Sequence, residues 1–164
     1  HSALTYALRR NATDFVNILL EKGAKTNVKD KDGNNLAYHV FNAYRAKEKV
    51  AFEKHFGLLK EKGVSFSEQQ NKGNNLIHLA VEKGEAFLIE KAIGAGSNIN
   101  DKNEDGLTPL HLAAMKSSNS EVLLLLIKHG ADKNIMTDFE ERAFDLASEN
   151  ELLKSEQIDI DFLK

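Results

Sequence analysis

Apolar residues along this chain fall into short helical bursts, set in pairs and separated by polar turns that carry glycine. The clearest burst follows Thr108-Pro109, where Leu110, Ala113 and Ala114 occupy positions i, i+3 and i+4 of one helical face. Threonine suits the cap of such a helix. Proline suits its first turn, since the amide it lacks has no intrahelical partner there and its φ is preset. A second burst runs from Glu121 to Lys128, and its unbroken apolar stretch from Val122 to Ile127 exceeds one face, which predicts a helix packed on several sides. Gly130 stands where a left-handed C-terminal residue closes a helix without side-chain strain. Asp105-Gly106 reads as a tight turn.

The pattern then repeats. GLTPLHLAA from Gly106 is matched by GNNLIHLAV from Gly73, and IKHGADKN around Gly130 by IGAGSNIN around Gly96, EKGVSFS around Gly63 and EKGAKTN around Gly23. The closing glycines are 40, 33 and 34 residues apart. A period near 33 with a TPLHLAA core and a GADxN exit resembles the ankyrin repeat over nearly the whole chain. The resemblance implies an all-α fold, a solenoid of stacked helix-turn-helix units joined by β-turn hairpin tips. One domain over 1–164 is expected, with about five copies near 2–33, 34–73, 74–106, 107–140 and 141–164 and the first and last incomplete.

Four copies depart from the pattern. The first places Ser2, Ala3 and Leu4 in the TPL positions without a turn of its own, which predicts that the natural protein continues upstream. The second carries about seven extra residues, with no glycine or proline from Asn34 to Phe56. Seven is nearly two helical turns, so one added turn in each helix is expected, projecting Tyr44 and Arg45 beyond the stack. A long turn over 46–49 is the alternative. The fourth copy has one extra residue in the turn 117–120. In the last, Arg142-Ala143-Phe144-Asp145 replaces TPLH, the second helix is short, and Ile158, Ile160 and Phe162 alternate with Asp159 and Asp161 as in an extended tail covering the final repeat.

Composition removes several functions. No apolar run approaches the roughly 20 residues of a membrane helix, which reads as a soluble chain with no membrane insertion. The absence of cysteine excludes thiol nucleophiles and cysteine-based metal sites, and leaves the compartment open between cytoplasm and periplasm. Residues 1–63 hold 12 Lys+Arg against 7 Asp+Glu, and residues 64–164 hold 10 against 18. Such a gradient can steer a partner, but basic residues scattered among acids do not suit nucleic acid. No nucleophile, base and acid fall together, and no phosphate loop or metal motif is present, so neither enzyme activity nor cofactor is expected. His78 and His111 share one repeat position, which marks them as architectural; His39 stands where other copies have leucine. Asn11-Ala12-Thr13 fits a glycosylation sequon.

The resemblance therefore implies a non-enzymatic module that binds another protein along the concave face made by turn tips and first helices. By repeat position, that face carries Arg9 and Arg10; Lys31, Asp32 and Asn34; Asn71, Lys72 and Asn74; Glu104, Asp105, Leu107, Met115 and Lys116; and Phe139. Leu107, Met115 and Phe139 are the apolar members and the expected anchors. Folding of Phe139 back onto the last copy is the other option for that ring. A length of solenoid spacing two other domains is the alternative function, and self-association is left undecided.

Overall fold

The structure, a computed structural model, describes residues 2–164. Its regular elements among these residues are helices: α1 Ala3–Arg9, α2 Thr13–Glu21, α3 Leu36–Ala43, α4 Lys49–Glu61, α5 Leu76–Lys83, α6 Ala86–Gly94, α7 Pro109–Lys116, α8 Glu121–Lys128, α9 Ala143–Glu149 and α10 Glu151–Ser155. They form two compact units, one ending at Asn71 and the other Lys72–Lys164.

In the first unit α1 packs on α2 and α3, and α4 on α2 and α3. Ser2 caps α1 by accepting the Thr5 amide, and Asn35 caps α3 by accepting that of Tyr38. The extra residues of the second copy are not shared between its helices. α3 has 8 residues, as do α5 and α7, whereas α4 has 13 against 9 in α6. One added turn goes to the second helix, and the remainder forms the 3-10 turn Ala46–Glu48 between them. Tyr44 does not project outward: it is buried, edge-on to Phe52 at 5.3 Å, in a cluster with Phe41, Phe56 and Phe66. Burying a large ring is worth more than solvating it, which draws the insertion inward. Arg45 stays exposed, 3.5 Å from Glu48. The side-chain amide nitrogen of Asn11 donates to Glu48 Oε2 at 2.7 Å and to the Ala43 carbonyl at 3.2 Å. The atom a glycan would take at the sequon is thus spent on closing α3.

In the second unit α5 packs on α6 and α7, and α7 on α8 and α9. Thr108 caps α7 with Pro109 in its first turn. Leu110, Ala113, Ala114, Leu123 and Leu126 fill the core. The apolar run of α8 is not enclosed on all sides: Leu124 is 47% exposed, because each helix pair has neighbours only before and behind it. Asn150 joins the last copy to the one before, capping α10 with its oxygen and donating its side-chain amide to the Ala114 and Ser117 carbonyls at the end of α7, both at 2.9 Å. The tail differs from the extended strip expected of Ile158, Ile160 and Phe162. It turns into a 3-10 helix, Asp161–Leu163, and buries Leu163 against α9 while those three remain half-buried.

Candidate protein-binding face

The tips that precede the first helices share one construction from different residues. Asp30 Oδ1 accepts the amides of Asp32 and Asn34, each at 2.9 Å; Asn103 Oδ1 accepts those of Asp105 and Leu107, each at 3.0 Å; Thr137 Oγ1 accepts those of Phe139 and Glu141 at 3.2 and 3.3 Å. A side-chain acceptor at the first tip position thus gathers two backbone donors and fixes the course of the tip. Successive tips are also joined. In the first unit the Asn71 amide donates to Asn34 Oδ1 at 2.9 Å; in the second the Glu104 amide donates to the Lys72 carbonyl at 3.0 Å and Asn103 Nδ2 to Asn74 Oδ1 at 2.9 Å. Gly106 is left-handed, and a Cβ there would lie 2.7 Å from the Asp138 carboxylate of the next tip.

His78 and His111 fasten tips to helices. Nδ1 of each accepts the amide of its own helix cap, Asn75 or Thr108, at 3.1 Å. Nε2 donates to a carbonyl of the following tip, Leu107 for His78 at 2.9 Å and Ile135 for His111 at 3.0 Å. Both rings are buried, and burial lowers both pKa values despite the tip carbonyls that favour the charged form. They are neutral clamps.

The first unit differs. Its tip acceptor is a carboxylate, and Asp30 Oδ2 lies 3.1 Å from Nε2 of buried His39. Burial pushes Asp30 up, but hydrogen bonds from Asn34 and Asp32 together with the His39 charge outweigh it and hold the carboxyl below the usual range. Burial lowers His39; Asp30 opposes this and Arg9 adds to it. Around the pair, Arg9, Lys31, Asp32, Asn34, Tyr38 and Asn42 line a polar crevice of about 280 Å³. Four residues expected on the face by repeat position, Arg9, Lys31, Asp32 and Asn34, are therefore brought together. Asn34 is a correction, because it is buried between Asp30 and Asn71 and offers little to a partner. Asp30 and His39 were not expected in this crevice. The signal available was an acid at a tip position and a histidine in a leucine position of the same copy. Arg10 lies toward Tyr6, its guanidinium 5.4 Å from that ring.

In the second unit Phe139 is 83% exposed on its tip, so the ring does not fold back onto the last copy. Met115 is 45% exposed in the last turn of α7, while Leu107, just ahead of the same helix, is half-buried. Leu107 lies ahead of the α7 cap and Met115 in the last turn, and the six helical steps from Pro109 to Met115 alone rise about 9 Å, so the anchors are spread along the helix and do not make one tight patch. Met136, also exposed and three residues before Phe139, is an apolar member that position counting missed. Glu104, Asp105 and Lys72 are exposed, Asn74 is half-buried, and Lys116 lies 3.6 Å from Glu82.

Comparison with known proteins agrees with this construction. The family model described as ankyrin repeats (3 copies) matches residues 48–137, and that described as ankyrin repeat matches 1–31. The chain is 30% identical over 146 residues to the fowlpox virus ankyrin repeat protein FPV031, covering 86% of this chain and 40% of that protein. It is 26% identical over 132 residues to mouse protein phosphatase 1 regulatory subunit 12A, covering 80% and 13%, and 33% identical over 87 residues to the Arabidopsis thaliana E3 ubiquitin-protein ligase KEG, covering 53% and 5%. It thus spans less than half the length of each of these relatives. No helix among the described residues is long and apolar enough to cross a membrane. Paired helices at a period near 33, histidine clamps between cap and tip, and the family matches lead to one conclusion: the chain belongs to the ankyrin repeat family, whose repeats are generally protein-protein interaction modules.

Proposed function

We propose that this chain is a non-enzymatic binding module whose second unit holds a partner protein on its tips and first helices. Leu107, Met115 and Phe139 are the anchors, and Lys72, Asn74, Glu104, Asp105 and Lys116 set the register. The observation that carries this reading is Phe139: a large apolar ring almost wholly in water, on a tip held by the bonds to Thr137 and by the left-handed Glu140. Exposing such a ring is unfavourable unless something covers it, and a rigid mount lowers the entropy lost when it docks. The spacing of the anchors suits a protein surface better than a small ligand, which needs an enclosed pocket. Residues 72–164 carry 10 Lys+Arg against 17 Asp+Glu, which favours a basic partner. In the first unit Arg9, Arg10, Lys31 and Asp32 offer a smaller polar contact, with Asn71 and Asn34 holding its tip.

The test is comparative capture from the source lysate, using wild type and the Leu107→Ala, Met115→Ala, Phe139→Ala triple variant after circular dichroism shows equal helicity. A protein held by the first and lost by the second is expected. Equal capture would place the site elsewhere.

A further inference from the structure

The polar crevice of the first unit holds two cations that the chain leaves without an acid. Its buried carboxylate is not available to them, because Asp30 is spent inside the tip: Oδ1 accepts the Asp32 and Asn34 amides, and Oδ2 faces Asn34 Nδ2 at 3.2 Å and His39 Nε2 at 3.1 Å. Arg9 and Lys31 both line the crevice and are exposed, and no acid among the described residues pairs with either. The Arg9 charge reaches His39 instead, where it disfavours the proton. A guanidinium and an ammonium on one crevice thus present donors for an acceptor that the chain does not supply. Asp32 is the exposed acid of the lining, but the unit as a whole is positive. Residues 1–71 hold 12 Lys+Arg against 8 Asp+Glu, the 7 acids of residues 1–63 and Glu68, and a field of that sign favours an anion.

Repeat position separates this crevice from the tips in general. Counted from the helix caps, Arg9 corresponds to Glu82, His39 to Leu112 and Asn42 to Met115; counted from the tip acceptors, Lys31 corresponds to Glu104. Where the second unit sets two acids and two apolar residues, the first sets two cations and two polar ones. We infer that the crevice takes a carboxylate, the side chain of an aspartate or glutamate on a partner protein, held by Arg9 and Lys31. This rests on the reading of the chain as a protein-binding module, and it gives the first unit an acidic requirement where the second favours a basic one. A volume of about 280 Å³ suits one side chain better than a cofactor or nucleotide.

Amide NMR of the 164-residue chain, titrated with short peptides, tests the chemistry directly. The probe is Gly-Glu-Gly blocked at both ends, whose only charge is the side-chain carboxylate; blocked Gly-Gln-Gly and Gly-Gln-Gly with a free C-terminus are the comparisons. Saturable shifts at the Lys31, Asp32 and Asn42 amides are expected from the first peptide and none from the second. The Arg9→Gln, Lys31→Gln double variant should lose these shifts while keeping its thermal midpoint, since neither side chain is paired in the fold. Absence of shifts at the highest peptide concentration, equal shifts from blocked Gly-Gln-Gly, or shifts retained in the double variant would overturn the inference. Tighter binding of the peptide with a free C-terminus would also overturn it, by making the occupant a chain end. The titration needs no captured partner, and Phe139→Ala should leave it unchanged, so failure here and failure of the binding proposal are separate results.

Discussion

Lowering the pH from 7.5 to 5.5 is expected to destabilise the chain through its buried imidazoles. Burial holds His39, His55, His78 and His111 below the ordinary value of 6.5. Between that value and each folded one, the unfolded chain binds the proton and the folded chain does not, so stability is full above 6.5 and falls as the pH drops. The structural reason is clearest at His78, where a protonated Nδ1 can no longer accept the Asn75 amide, which is itself buried. One such group contributes a slope of at most about 1.4 kcal/mol per pH unit, so four give an upper bound of about 5.5 kcal/mol over one pH unit. Against a typical stability of about 5–15 kcal/mol this is large. Urea unfolding followed by far-ultraviolet circular dichroism at pH 7.5, 6.5 and 5.5, with each transition fitted separately, reads the effect as a fall in midpoint. Glutamine supplies an acceptor and a donor without titrating near neutrality, so the His78→Gln, His111→Gln double variant should lose much of the slope in the second unit. A flat profile, stability rising toward acid, or an undiminished slope in the double variant would refute the reasoning. Asp30, held below its ordinary range, adds stability that is lost only at lower pH, outside this window.

Other substitutions probe particular contacts. Gly106→Ala should cost about 1–3 kcal/mol, combining left-handed strain with collision against Asp138, whereas Gly33→Ala, with open space around it, should cost only the strain of about 1 kcal/mol. Thermal unfolding of the pair measures the difference. Tyr44→Ala should destabilise by about 3–5 kcal/mol through its cavity, and Arg45→Ala by less than about 0.5, which chemical denaturation resolves. In α8, Leu123→Ala should cost about 3–5 kcal/mol, while Leu124→Lys should leave the urea midpoint nearly unchanged, because only the first is enclosed.

What could be read from the sequence was what local chemistry decides. Thr108-Pro109 places the start of α7, left-handed Gly130 the end of α8, and the shared position of His78 and His111 their architectural role, because each acts within a few residues or one period. What could not be read depends on packing. The insertion in the second copy divides unevenly because Tyr44 finds Phe52 and Asn11 closes α3, contacts made only after folding. Leu124 is exposed although its neighbours are buried, since an apolar run does not say how many sides a helix covers. Asp30 resembles an ordinary tip residue until the fold brings His39 against it. On the binding side, position in the repeat found exposed Met115 and Phe139, yet it also selected Asn34, whose polar side chain is used up inside the tip.

The central claim is that the tip face of the second unit carries partner binding, and calorimetric titration of the captured protein tests it most directly. Titrated into wild type and into Phe139→Ala, a partner anchored by that ring should lose affinity by about 30-fold, the scale of a single anchor worth about 2 kcal/mol. An unchanged dissociation constant, with both chains unfolding at the same urea midpoint, would contradict the account.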